Sequence, residues 1–228
     1  MRIIGIREVQ KLSNKSLFSR LASFFGGNQT TAQNTEETKE IKNMKIGIIS
    51  GSVREGNNAA AVTQWVYDFA TKRGDEGFEY EIVNLSDYQL PLLGASVPTE
   101  YQDTTNAAIK AWSEKMASFD GYIFVTPEYN HALGGALKNA LDFLKPEVNN
   151  KAAAMVGYGS LGGARAHENM RSILGELSVA TVHTTVNFSL IADFENMSVF
   201  KPNAYHEVNA NGMLDDLQLW SKAFETIR

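Results

Sequence analysis

The chain contains no cysteine. That excludes disulfides, thiolate metal sites and any thiol nucleophile, so redox chemistry here has to be carried by a bound cofactor. The absence also fits a reducing compartment. Long apolar runs are missing too: nothing approaches the roughly 20 apolar residues of a membrane-spanning helix. The best stretch, Leu17 to Phe25, is interrupted by Arg20 and runs into Gly26-Gly27. It lacks the unbroken apolar centre of a secretory signal. Basic charge is not in excess: 21 Lys and Arg stand against 26 Asp and Glu, for a net charge of −5 and a pI near 5.4. No nucleic-acid face is expected from that balance. The four histidines, His131, His167, His183 and His206, are scattered, and His167-Glu168 has no second histidine to complete a zinc motif. The expectation is a soluble, cytoplasmic protein without a metal site or transmembrane segment.

What remains is ample for a core: 43% of the 228 residues are apolar, enough for one domain with extras. The chain divides into two unlike parts. Residues 1–43 carry seven Lys and Arg against four Glu, a net of +3, while residues 44–228 carry 14 against 22, a net of −8. From Asn28 to Asn43 the composition is polar and reads as a flexible linker; residues 15–25 have the pattern of a short basic amphipathic helix. Three readings of residues 1–43 stay open: an upstream extension with Met44 as the working start, an organelle transit peptide, or a weak membrane or partner anchor.

From Met44 the pattern alternates. Strands are expected at Met44 to Ser50, Phe78 to Leu85, Gly121 to Val125, Ala152 to Tyr158 and Val179 to Asn187. Helices are expected at Ala59 to Lys72, Thr104 to Ser118, Gly134 to Leu144, Ala164 to Leu177 and Leu214 to Ile227. Strands alternating with helices make parallel βαβ units. The fold class is α/β: a flavodoxin-like, doubly wound, five-stranded parallel sheet of order 2-1-3-4-5 with helices on both faces. Ligands of such sheets sit beyond the C-terminal ends of the strands. The loops after the first, third and fourth strands are therefore where chemistry is sought.

The first loop runs Ser50-Gly51-Ser52-Val53-Arg54-Glu55-Gly56-Asn57-Asn58. Ser50, Ser52, Arg54, Asn57 and Asn58 supply hydroxyl, guanidinium and amide donors before a helix N-terminus, a combination that holds phosphate. The same residues also make an ordinary capped turn. Gly51 and Gly56 have Walker A spacing, but Asn57-Asn58 replaces the required Lys-Ser/Thr, which excludes a nucleotide triphosphatase. The second loop, Thr126-Pro127-Glu128-Tyr129-Asn130-His131, offers a proline, an aromatic and an amide to wall a flat ring. The third, Gly157-Tyr158-Gly159-Ser160-Leu161-Gly162-Gly163-Ala164-Arg165, matches G-x-G-x-x-G. It follows the fourth strand rather than the first, and no acid ends the next strand, so a Rossmann dinucleotide site is rejected.

These residues together resemble the NAD(P)H-dependent FMN reductase family, which includes flavodoxin-like azoreductases and quinone reductases. The matching pieces are Gly51 to Arg54, Thr126 to His131, Leu137 to Asp142 and Tyr158 to Ala166. The resemblance runs from Met44 to near the C-terminus and has no counterpart in residues 1–43. It implies FMN as cofactor, with its phosphate on Ser50, Ser52, Arg54, Asn57 and Asn58, although many relatives carry serine near position 57. It implies a ring lying between Pro127, Glu128, Tyr129 and Asn130 on one edge and Tyr158, Gly159, Ser160, Gly162 and Gly163 on the other. NADPH or NADH would deliver hydride to the flavin and a small acceptor (flavin, quinone, azo compound or similar) would remove it, in a ping-pong scheme without a side-chain nucleophile. His131 and Arg165 are candidates for the pyridine nucleotide. Relatives are usually homodimers or homotetramers.

Two other functions compete. Ser160, Asp193 and His206 follow the chain order of an α/β-hydrolase triad, but Tyr158 stands where G-x-S-x-G needs glycine. A flavodoxin-like electron carrier or redox-sensing flavin module without NAD(P)H turnover is the main alternative. The long connection 187–203 and the apolar Leu90-Pro91-Leu92-Leu93 are expected at an oligomer interface.

Overall fold

The computed structural model describes residues 43–94 and 106–228. The expectations for residues 1–42, and for a helix beginning at Thr104, fall outside them. Five parallel strand positions make the sheet. β1 (Met44–Ser50) lies between β2 (Phe78–Asn84) and β3 (Gly121–Tyr129). β5 (Lys151–Gly159) pairs with β3 on its other side and with β6 (Val179–Thr181) and β7 (Val186–Ser189) at the edge. β4 (Ala132–Leu133) is a short antiparallel return on β3. Counted by position, the order is the expected 2-1-3-4-5.

The period-2 alternation of the strands sorts their side chains onto two faces. Ile46 and Ile48 of β1, Ile123 and Val125 of β3, and Ala154 and Val156 of β5 face one cluster. It is closed by α1 (Ala59–Arg73), through Val62 and Val66, and by α5 (His206–Glu225), through Met213, Leu214 and Leu217. Tyr122 and Phe124 of β3 and Met155 of β5 face the other. That side is covered by α2 (Ala107–Ala117), α3 (Gly135–Leu141) and α4 (Ala164–Glu176). Helices therefore pack on both faces, and β5 is buried along its whole length, as a central parallel strand requires.

Four elements depart from the sequence reading by more than a residue or two. β3 runs four residues further than expected, to Tyr129. The fifth strand is not continuous. β5 advances three residues from Ala153 to Val156 while its partner advances five, from Thr181 to Val186, a bulge in the edge strand. Arg171 of α4 sits at the break: its guanidinium donates to the Val182 carbonyl at 2.9 Å and the His183 carbonyl at 3.1 Å. α3 ends at Leu141 rather than Leu144. α5 begins at His206, eight residues before the expected Leu214. The turn-prone Asn209, Asn211 and Gly212 hid a helix whose buried face is His206, Ala210, Met213 and Leu217. The connection 187–203 is likewise not plain loop; it contains the end of β7 and a hairpin of β8 (Phe194–Glu195) and β9 (Val199–Phe200).

Candidate active site

The three segments singled out by sequence meet at the C-terminal edge of β1, β3 and β5. The first leaves β1 at Gly51, whose N–H donates to the Val125 carbonyl at 2.9 Å. A β-carbon at Gly51 would stand 2.7 Å from Leu137 Cδ2 and 2.8 Å from the Val125 oxygen, so only glycine fits this close approach. Ser50 and Ser52 are buried and Arg54 is exposed. Arg54 Nε donates to the Tyr129 hydroxyl at 3.3 Å, linking the first segment to the second. Among the described residues, the backbone N–H groups of Ser52, Val53, Arg54, Glu55 and Gly56 have no protein acceptor. A run of unpaired donors is unusual in a folded chain unless water or a ligand takes them.

The two asparagines behave differently from each other. Asn57 serves its own turn: its Oδ1 accepts from Ala59 N–H at 2.7 Å, and its Nδ2 donates to the Arg54 carbonyl at 2.5 Å. Asn58 instead donates to the Met197 carbonyl at 3.1 Å.

The second segment is strand followed by a tight turn. Pro127 pairs in register with Tyr158, and Tyr129 with Ala132. Between the latter pair, Asn130 and His131 take φ of 50° and 70°. That is the two-residue, left-handed geometry favoured in hairpins, and it leaves both residues exposed. Glu128 does not face outward. Its carboxylate accepts from Arg165 N–H at 3.1 Å and from Arg165 Nε at 2.5 Å, tying β3 to the first turn of α4.

The third segment also begins as strand: Gly157, Tyr158 and Gly159 belong to β5, and the turn proper is Ser160 to Gly163. Gly163 has φ of 82°, and a β-carbon there would lie 2.9 Å from Gly157 Cα. Ser160 and Leu161 are exposed at the tip. Tyr158 is buried with its hydroxyl beside Ser52 and Arg54, yet that hydroxyl makes no hydrogen bond. Burial raises its pKa well above the ordinary tyrosine value.

Sequence reasoning missed two residues that support this turn. Asn187 of β7 donates to the Gly162 carbonyl at 3.1 Å and approaches His167 Nδ1 at 3.3 Å. Burial pushes His167 down to about 4, so it is neutral near pH 7. No local signal marks Asn187, because its partner lies 25 residues away. Beside the first segment an apolar cleft of about 420 Å³ opens, lined by Val53, Leu85, Leu90, Leu92, Ala136 and Asn139. A larger polar cleft of about 590 Å³ lies at the break in the edge strand, between Glu168, Arg171, His183 and Asn209. Among the described residues no cluster could hold a metal ion, and no helix is long and apolar enough to cross a membrane.

Comparison with known proteins gives the chain its family. Residues 44–193 match the family model described as NADPH-dependent FMN reductase. An NAD(P)H-dependent FMN reductase of Nectria sp is 38% identical over 135 residues, 57% of this chain and 67% of the relative. One from Schizosaccharomyces pombe is 35% identical over 157 residues, covering 65% and 74%. An NADPH azoreductase of Bacillus sp. is 31% identical over 134 residues, covering 58% and 68%. The solved structure of the flavoenzyme NAD(P)H:(acceptor) oxidoreductase FerB from Paracoccus denitrificans superposes with a TM-score of 0.59 at 16% identity, over 77% of this chain and 98% of that one. At that identity the likeness concerns the fold.

Proposed function

The chain belongs to the NADPH-dependent FMN reductase family, and we propose that the three segments at the C-terminal edge of its sheet hold FMN and present it to NAD(P)H and a small acceptor. It is an oxidoreductase of the kind its relatives represent. The observation that carries the site is the set of unpaired donors between β1 and α1. Backbone N–H groups from Ser52 to Gly56 have no protein acceptor among the described residues, with the Arg54 guanidinium beside them. The buried, unpartnered Tyr158 hydroxyl adjoins the same place. A phosphate satisfies such donors, so the residues present fit a flavin nucleotide.

Ser50, Ser52, Arg54, Asn57 and Asn58 form the phosphate end. Asn57 contributes by shaping the turn, since both ends of its amide are used within it. Pro127, Glu128, Tyr129 and Asn130 form one wall of the ring site, and Tyr158, Gly159, Ser160, Gly162 and Gly163 the other. FMN, when bound, accepts hydride from a nicotinamide cofactor and delivers it to an acceptor. The protein's share is orientation. The Glu128–Arg165 bond fixes the spacing of the two walls, and the hairpin turn holds Asn130 and His131 outward. His131, exposed on that turn, and Arg165, 39% exposed while tied to Glu128, stand on the segments where a pyridine nucleotide would be met. Acceptor replaces nicotinamide product at one open face, the ping-pong order. The apolar cleft at Val53, Leu90 and Leu92 suits a flat, apolar acceptor such as a quinone or azo compound.

The same reading carries a homodimer or homotetramer. Leu92 is 85% exposed, an arrangement that a second copy would cover. Light scattering of the purified chain checks the assembly, and fractionation of tagged protein checks the cytoplasmic location that goes with it. The deciding experiment is an absorbance spectrum after reconstitution with FMN, followed by anaerobic NADPH. A flavin band that bleaches within seconds supports the reading. A bound flavin that stays oxidised would move the protein to the electron-carrier class.

A further inference from the structure

The connection between β7 and α5 reaches back to the first segment. Its hairpin turns through Asn196, Met197 and Ser198, and Ser198 N–H donates to the Glu195 carbonyl at 3.2 Å. At the tip Asn196 and Met197 take φ of 52° and 55°. Asparagine tolerates that region; methionine seldom adopts it. The carbonyl of Met197 receives the Asn58 amide. The base of the hairpin is fixed by one fully buried carboxylate, Asp193. It accepts from Ser189 N–H at 2.8 Å, Asn203 N–H at 3.2 Å, Asn203 Nδ2 at 3.0 Å and His206 Nε2 at 2.9 Å.

The consequence falls on α1. Asn58 occupies the position before the helix, where an asparagine oxygen ordinarily accepts from the second or third helical N–H. Here its backbone is helical, at φ −80° and ψ −5°, and its side chain makes no capping bond. The amide is turned to the hairpin instead. Ala59 N–H is taken by Asn57, while among the described residues Ala60 and Ala61 N–H groups have no acceptor. Unpaired donors in the first helical turn are suited to an anion.

We infer that the hairpin tip is a positioning element for the phosphate end of the flavin nucleotide: the Met197 carbonyl holds Asn58 off its own helix and keeps the Ala60 and Ala61 N–H groups open. The inference rests on the FMN reading. The family match ends at residue 193 and does not cover the hairpin turn at Asn196 to Ser198.

Riboflavin, which lacks the phosphate, separates this role from general support of the site. Met197→Pro cannot take a positive φ and throws the tip off Asn58, whereas Met197→Gly takes it freely. Titration of flavin fluorescence should show FMN affinity about tenfold weaker in M197P. Riboflavin affinity should be unchanged, and M197G should match the parent for both ligands. Equal losses for the two flavins, or no loss for FMN, overturn the inference. Replacing Asn196-Met197-Ser198 by Gly-Gly draws the tip back and is expected to act like M197P; it decides the matter if circular dichroism shows M197P to be unfolded. A parent chain that binds FMN no more tightly than riboflavin overturns the phosphate assignment together with the inference, whereas a parent that prefers FMN and an M197P that keeps that preference overturn the inference alone. A parent that binds neither overturns the FMN reading as well.

Discussion

Glu128 and Arg165 are bonded twice, through the Arg165 backbone N–H and through its guanidinium, so one carboxylate both caps α4 and pairs with a side chain on its first turn. The Glu128 side chain is only 5% exposed. Removing it leaves a helix N–H and a guanidinium without their acceptor. Glu128→Ala should lower stability by about 2 kcal/mol, and Glu128→Gln, which keeps one acceptor oxygen, by about half as much. Urea unfolding at neutral pH reads both. Equal stability of the three proteins would show that the bond is not maintained in solution.

Arg54 is exposed and, among the described residues, its one side-chain partner is the Tyr129 hydroxyl, apart from a long contact of 3.4 Å to the neighbouring Glu55 carbonyl. Arg54→Ala should leave the melting temperature alone and weaken FMN about tenfold or more, because a charged donor to phosphate is lost. Raising salt should narrow the gap between variant and parent, since screening reduces what the guanidinium contributes. Calorimetric titration at two ionic strengths makes the comparison.

Gly163→Ala combines a left-handed φ of 82° with a clash 2.9 Å from Gly157 Cα. A backbone neighbour cannot move aside as a flexible side chain does. The expected loss is about 1–3 kcal/mol of stability, with Gly56→Ala as a comparison. Gly56 has φ of 61° with open space around its β-position, so it carries the strain without the clash and should lose less.

His167 gives the protein a pH dependence of defined sign. Burial lowers its pKa to about 4 in the folded state, below the ordinary value near 6.5. Between those values the unfolded chain binds the extra proton and the folded chain does not. Stability from this group is therefore complete above about pH 6.5 and declines as pH falls toward 4, by up to about 3 kcal/mol. His167→Gln should flatten the stability curve in that window while leaving its more acidic part in place. There Asp193 acts. Burial alone would raise its pKa, but hydrogen bonds from Asn203, Ser189 and His206 outweigh that and hold it below the ordinary carboxylate value. Its contribution is lost only as pH falls through that lowered value. Denaturant midpoints measured from pH 4 to pH 7.5 test the His167 term.

The sequence was legible where its message is local. Ile46, Ile48 and Ile49 mark β1 as buried strand, Val62 and Val66 mark one face of α1, and the alternation of the two element types implies the sheet and its order. Gly51 to Arg54, Thr126 to His131 and Tyr158 to Ala166 mark the sheet edge proposed to hold the flavin, because short-range residue types determine where a strand stops and a helix begins. Other features depend on partners remote in sequence. Arg171 holds the chain at the break in the fifth strand by donating to the Val182 and His183 carbonyls, 11 and 12 residues away. Asn58 reads as an ordinary helix cap until Met197, 139 residues later, takes its amide. Glu128 and Arg165 read as ligand contacts, and only the fold shows that they also bond each other, 37 residues apart. Hydrophobic period and turn chemistry, carried by each segment alone, specified the sheet, its helices and the three site segments. Only the tertiary structure decided which donors stay open for a ligand, because a hydrogen bond is claimed by whichever partner the completed fold brings within reach.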